Sequence, residues 1–149
     1  LGIVKFTARE RTALRAMVEL AHHYEKGSPT ALSEVARAQE LSLPYLEQVA
    51  SALRRAGLLE SVRGAHGGYR LTRDPAAVRV GDVFRAVEGS LVSVECVGSD
   101  AAPCSRQEYC VARNVWQTVM ERLEDTLDAT TLADLIASAA PTPIERTVG

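Results

Sequence analysis

The clearest signal along the chain is a helical repeat of apolar positions, broken and restarted several times. Ala13, Leu14, Met17, Leu20, Ala21 and Tyr24 recur at three- and four-residue spacing, the mark of a helix with one buried face. Thr7-Ala8-Arg9-Glu10 precedes them and reads as a capping box: Thr7 accepts early amide protons while Glu10 reaches back. A helix is therefore predicted over 8–25, stopped by Gly27-Ser28-Pro29. Thr30 is expected to cap a second helix over 31–39, with Leu32, Val35 and Ala36 inward. After a short break from Glu40 to Ser42, Ser42 is expected to cap a third helix over 43–56. Pro44 suits its first turn, whose amides have no helical partner. Leu46, Val49, Ala50 and Leu53 form the buried stripe, and Gly57 stands where a left-handed cap belongs. Two amphipathic helices joined by so short a turn are the helix-turn-helix pattern.

The period then changes. Leu58 to Arg63 and Tyr69 to Arg73 read as short strands around Gly64-Ala65-His66-Gly67-Gly68, a segment rich in residues that allow positive φ. A hairpin directly after a helix-turn-helix is the order of a winged helix. A short helix over 80–88, with Val83, Phe84 and Val87 inward, ends at Gly89. Residues 90–109 form a long irregular segment of the kind usually kept for function. A long helix over 111–128 follows, its Val115, Val119, Leu123 and Leu127 recurring every four residues beside Trp116 and Met120. One small domain need not bury so long a stripe alone, which points to a partner helix. Thr130 or Thr131 caps a last helix over 132–139, and a Pro/Thr-rich tail starts at Pro141. The fold class expected is mostly α with a small β-hairpin wing. The divisions are 1–80 (winged helix-turn-helix), 81–140 (cysteine loop and dimerisation helices) and 141–149 (disordered tail).

Composition narrows the function. The chain has 149 residues, 46% hydrophobic and 24% charged, an ordinary globular mix. No apolar run approaches the roughly 20 residues of a membrane span, and Leu1 to Phe6 is too short and too charged for a secretory signal. A soluble cytoplasmic protein is expected. With two Phe, four Tyr and one Trp, the chain is a poor candidate for stacking on single strands. Net charge is −2, but it is unevenly spread. Residues 1–75 carry 11 Lys/Arg and 8 Asp/Glu, whereas 76–149 carry 6 and 11. Arg54, Arg55, Arg63, Arg70 and Arg73 lie close together with Glu60 the one acid among them. Such a stretch fits an anionic partner or a solvated helix face and hairpin.

For duplex DNA, the first turns of the third helix would meet base edges. Gln48 suits adenine, and Glu47 suits the cytosine amino group. Ser42 and Tyr45 suit phosphate; Pro44, Ser51 and Arg55 share that side. At the hairpin tip Arg63, Gly64, His66 and Gly67 form a thin basic edge suited to phosphate or a minor groove. The same residues also describe a plain exposed helix surface and an ordinary hairpin loop. The three cysteines, Cys96, Cys104 and Cys110, have the spacing C-x7-C-x5-C. An odd count is a poor disulfide framework, and the gaps are too wide for a zinc knuckle. An iron–sulfur site normally takes four ligands, so a fourth must come from elsewhere. A cluster, a zinc site and a thiol switch all stay open on spacing alone. No nucleophile–base set, phosphate-binding loop or HExxH occurs, so an enzyme is not expected.

The segment LPYLEQVASALRRAGLLESVRGAHGGYRL (43–71) resembles the winged helix of the IscR and NsrR group of bacterial regulators. FTARERTALRAMVELA (6–21) is similar to their first helix. GDVFRAVEG (81–89), the cysteine loop and the Trp116 helix follow in the family's order. The similarity spans about residues 3–135, and YLEQ, VRGxxGGY and the three cysteines are its most specific pieces. It implies a homodimer through helix 111–128, a palindromic DNA operator, and a 2Fe–2S or 4Fe–4S cluster on Cys96, Cys104 and Cys110 that tunes DNA binding. In the IscR pattern a histidine three residues past the third cysteine is the fourth ligand; here Arg113 stands there and cannot ligate iron. NsrR-like members use an acidic residue of the partner's first helix. The matching position here is Arg11, which leaves the adjacent Glu10 as the fourth-ligand candidate beside its capping role. His22, His23 and Glu108 are further candidates. The mechanism expected is a dimer whose two recognition helices lie roughly 34–36 Å apart, a spacing set by the cluster. The alternatives are the same fold without a cluster, responding to thiol oxidation or another ligand, and a winged helix that binds only protein.

Overall fold

The computed structural model describes residues 6–89 and 111–138. Its elements are α1 (Ala8–His22), α2 (Leu32–Ala38), α3 (Leu43–Arg55), β1 (Leu59–Val62), β2 (Gly68–Leu71), α4 (Val80–Glu88), α5 (Val111–Ala129) and α6 (Leu132–Ser138). Single 3-10 turns lie at Tyr24–Lys26 and Pro75–Ala77. The architecture is the expected one: mostly helical, with one antiparallel hairpin as the wing of a helix-turn-helix and a long C-terminal helix. The expected loop 90–109 and tail 141–149 lie outside the described residues. Among the described residues no helix is long and apolar enough to cross a membrane.

The capping box at the start of α1 forms as its sequence requires. Glu10 N donates to Thr7 Oγ1 at 3.1 Å, and Thr7 N donates to Glu10 Oε2 at 2.8 Å. The helix stops three residues earlier than its apolar period suggests. A tight turn over 24–26 closes on Gly27 at φ +67°, leaving Tyr24 half-buried at the core edge. Thr30 does not cap α2. Ala31 holds that position without a side-chain cap, and Thr30 is buried and paired with the wing. Thr30 N donates to Tyr69 O at 2.9 Å, and Tyr69 N donates to Thr30 O at 2.8 Å. Ser42 does stand at the start of α3, but its hydroxyl makes no capping bond.

Met17, Val35, Leu46, Val49, Leu53, Val78, Val83 and Leu132 are the large side chains wholly withdrawn from solvent. They come from α1, α2, α3, α4, the turn before α4, and α6. One core thus underlies the helix-turn-helix, α1, α4 and the start of α6. The wing seats on it through Leu59 and Leu71, which oppose each other in the hairpin. Glu60 and Arg70, the next pair outward, form an ion pair at 2.5 Å. At the tip only Gly64 uses left-handed freedom, at φ +118°. Gly67 and Gly68 serve space instead: an added Cβ would overlap the Val62 carbonyl at one and the Thr30 backbone at the other.

α4 ties the halves together. On one side Phe84 meets Phe6, ring centroids 5.5 Å apart, and Thr7 Oγ1 donates to Glu88 Oε1 at 3.0 Å. On the other, the Arg85 guanidinium grips both oxygens of Asp128 on α5 at 2.8 and 2.7 Å. Gly81 lies against that Asp128 carboxylate, where a Cβ would collide. α6 starts with its own capping box between Thr131 and Asp134. On α5 the apolar stripe divides. Met120 is buried, while Val115 (56% exposed), Trp116 (46%) and Val119 (38%) face outward with Val111.

Candidate nucleic-acid interface

α3 is positioned by its apolar side. Leu46, Val49, Ala50 and Leu53 are buried against α1 and α4, which turns Glu47 and Gln48 to solvent. Pro44, Glu47, Gln48, Ser51 and Arg55 line one open groove of about 650 Å³. Five of the sequence-predicted DNA residues are thereby brought together. Ser42 is exposed at the head of the same helix. Tyr45 is half-buried and packs against the core, so its ring braces the helix start.

The wing tip projects Arg63, Gly64 and His66 into solvent. Gly67 is more enclosed; its amide donates to Gly64 O at 3.0 Å and closes the tip. The five arginines of 54–73 are not equivalent. Arg70 is committed to Glu60 and to the Gly27 carbonyl at 3.3 Å. Arg54 donates to Ser61 Oγ at 3.4 Å, across from α3 to β1. Arg55, Arg63 and Arg73 are exposed and make no ion pair among the described residues. The basic stretch is part scaffold and part free charge.

The groove has one further wall that the sequence reasoning missed. Arg9, on the first turn of α1, lines it beside the α3 residues. A signal was present: Arg9 stands one turn ahead of buried Ala13, at the head of the inward stripe.

Cys96, Cys104, Cys110 and Glu108 lie outside the described residues. Glu10 is buried, at 4% exposure, and its Oε2 already takes the Thr7 amide proton. Burial pushes its carboxyl above the ordinary value; the Thr7 amide pulls it back, Glu88 adds to the rise and Arg11 opposes it. Glu10 lies in the first turn of α1 and His22 ends the helix, about 18 Å away at 1.5 Å per residue. His23 faces Glu19 at 3.4 Å, and Glu19 also accepts from Gln39 Nε2 at 2.8 Å. Arg113 occupies the α5 position next to the cysteine segment, and its buried Nε has no hydrogen-bond partner among the described residues. Among the described residues no three His, Cys, Asp or Glu side chains converge as a metal site would require.

The family model described as "Rrf2: Iron-dependent Transcriptional regulator" matches residues 6–138. The chain is 38% identical over 133 residues to the HTH-type transcriptional regulator IscR of Yersinia enterocolitica, covering 89% of this chain and 79% of that protein. It is 39% identical over 132 residues to the HTH-type transcriptional regulator CymR of Bacillus subtilis, covering 89% of each. The solved structure of CymR, the global cysteine regulator of B. subtilis, matches with a TM-score of 0.76 at 38% identity. That match covers 93% of this chain and 100% of that one.

Proposed function

The chain belongs to the Rrf2 family of DNA-binding transcriptional regulators, and from that premise we propose that it reads a palindromic operator as a homodimer under control of its three cysteines acting as thiols. The observation that carries the DNA reading is the open groove in which Pro44, Glu47, Gln48, Ser51 and Arg55 converge. In the major groove Gln48 offers a bidentate pair to adenine, and Glu47 accepts from a cytosine amino group. Ser42 and Tyr45 take phosphates at the head of α3. Arg63, Gly64, His66 and Gly67 lay the wing on the adjacent backbone. Dimerisation through α5 is supported by Val111, Val115, Trp116 and Val119, a row of exposed apolar side chains on one helix.

The family likeness implies an iron–sulfur cluster, which needs a fourth ligand beside Cys96, Cys104 and Cys110. Glu10 does not fit that place as it stands. Its carboxyl is buried, held by the Thr7 amide and biased toward the neutral form. Arg113 is no ligand. The thiol reading, in which Cys96, Cys104 and Cys110 answer oxidation or a small sulfur-directed ligand, needs no fourth group. Likeness to the CymR of Staphylococcus aureus, which has been solved in an oxidised form, supports it. The second reading, an iron–sulfur cluster completed by another residue, is favoured by the family description "iron-dependent" and by likeness to IscR.

One preparation separates them. Protein purified without oxygen is assayed for iron, sulfide and visible absorption, then for binding to duplex DNA before and after mild oxidation. Colourless, iron-free protein whose DNA affinity follows reversible thiol oxidation supports the thiol reading. Stoichiometric iron and sulfide, with DNA affinity following their loss, overturns it in favour of the cluster. Absence of duplex binding in every state overturns both.

A further inference from the structure

We propose that Arg9 is a phosphate-contacting residue that closes the recognition groove from the α1 side. The inference rests on the DNA-binding reading above and adds to it a contact from a helix outside the helix-turn-helix. Four observations converge on Arg9. It lines the same groove as Pro44, Glu47, Gln48, Ser51 and Arg55. It sits at the second position of α1, after the Thr7 cap, where unpaired amides and the helix dipole disfavour a cation. Nothing local recruits it there: Glu47 lines the groove too, yet among the described residues Arg9 has no ion pair. Its backbone is held at that lip by the Thr7–Glu10 box, and Thr7 is itself bonded to Glu88.

A phosphate resolves the electrostatic mismatch. A planar guanidinium presents paired donors to phosphate oxygens, and the α1 amides beside it favour the same anion. With Arg9 and Arg55 both lining the groove, a strand backbone is met from α1 as well as from α3. Glu47 and Gln48, lining the same groove, are left to face the bases. Arg9 on this account contributes affinity and register, while base choice stays with Glu47 and Gln48.

The test uses a duplex enriched from a random-sequence pool by the wild-type full chain. Binding is measured by fluorescence anisotropy from low to moderate salt for wild type, Arg9→Gln, Arg9→Lys and the control Lys26→Ala in the 3-10 turn beyond the far end of α1. Each phosphate contact contributes about 0.9 to the slope of log affinity against log salt. Arg9→Gln is expected to lower that slope by about 0.9 per protomer and to weaken binding by about tenfold or more. Arg9→Lys keeps the slope and loses part of the affinity, and Lys26→Ala matches wild type. Melting temperatures near wild type show that the loss is not one of folding. A wild-type slope in Arg9→Gln overturns the assignment of Arg9 while leaving the DNA reading intact. Failure of wild type to enrich any duplex sinks both.

Discussion

Gly68→Ala should disable the wing at its hinge. The added Cβ would overlap the carbonyl of Thr30 and crowd the amide of Ala31. Both are backbone atoms of the strand-like segment entering α2, with no flexible side-chain end to swing away. Relief requires β2 and residue 30 to separate, which breaks the reciprocal pair Thr30 N to Tyr69 O (2.9 Å) and Tyr69 N to Thr30 O (2.8 Å). Two such bonds contribute about 1–3 kcal/mol together. Thr30 is buried, so its stranded groups stay away from water, which favours the upper half of that range. For a chain of this length each kcal/mol moves the melting temperature by about 2–4 °C. A fall of about 4–12 °C is therefore expected, read by far-ultraviolet circular dichroism at fixed protomer concentration, since self-association shifts melting. Ala65→Ser at the exposed tip is the control, expected to stay within about 0.5 kcal/mol of wild type. Gly68→Ala melting within 1–2 °C of wild type would refute the hinge assignment (about 0.5 kcal/mol on the same scale).

Gln48→Ala should cost about 1–3 kcal/mol on its preferred base pair and flatten base preference there; an unchanged preference in a substitution scan of the duplex rules out the contact. Trp116→Glu places a charge on the exposed apolar row of α5, so sedimentation velocity should show monomer where wild type shows dimer; a persisting dimer moves the interface elsewhere. Arg85 holds the Asp128 carboxyl below its ordinary value, chiefly through their hydrogen bonds. A depressed carboxyl contributes stability that is complete above the ordinary carboxylate range and fades as pH falls through the lowered value. Asp128→Asn should therefore melt lower at neutral pH, by about 0.5–1 kcal/mol for a half-exposed bidentate pair, with the gap narrowing in acid. A gap that does not change with pH contradicts that origin.

What the sequence made legible is what depends on near neighbours along the chain. The Thr7–Glu10 box, the α3 stripe of Leu46, Val49, Ala50 and Leu53, and the stop at Gly57 all rest on contacts within a turn or two. What it hid depends on partners far along the chain. Thr30 looks like a cap because threonine before an apolar period usually is one. Its actual partner is Tyr69, and nothing near position 30 announces that. Gly67 and Gly68 look like flexible turn residues, yet their missing side chains make room for Val62 and Thr30. Arg70 looks like free basic charge until the hairpin register sets it opposite Glu60. Arg9 escaped for the same reason: the groove has walls from α1 and α3, and only their packing brings the two together. On α5 the count of apolar positions is local and legible, while the surface that would cover the exposed Val115, Trp116 and Val119 is not.

On the thiol reading proposed above, the placement of α4 bears on how a signal at the cysteines reaches DNA. Its last residue, Glu88, accepts from Thr7, and Gly89 at φ +79° ends the helix where the chain departs toward the cysteines. A pull on that departing segment acts first on Glu88. Glu88 holds the cap of α1, and Arg9 lies two residues beyond that cap. The opposite face of α4 is clamped to α5 through Arg85 and Asp128, so a displacement of its end is felt by α5 as well as by α1. A tenfold change in DNA affinity needs a difference of only about 1.4 kcal/mol between two states, and one side-chain hydrogen bond such as that from Thr7 to Glu88 contributes about 0.5–1.5 kcal/mol. Loosening Thr7 from Glu88 in both protomers of a dimer reaches that scale. A switch of useful size therefore requires no large rotation of domains, only a change in how the end of α4 holds the start of α1.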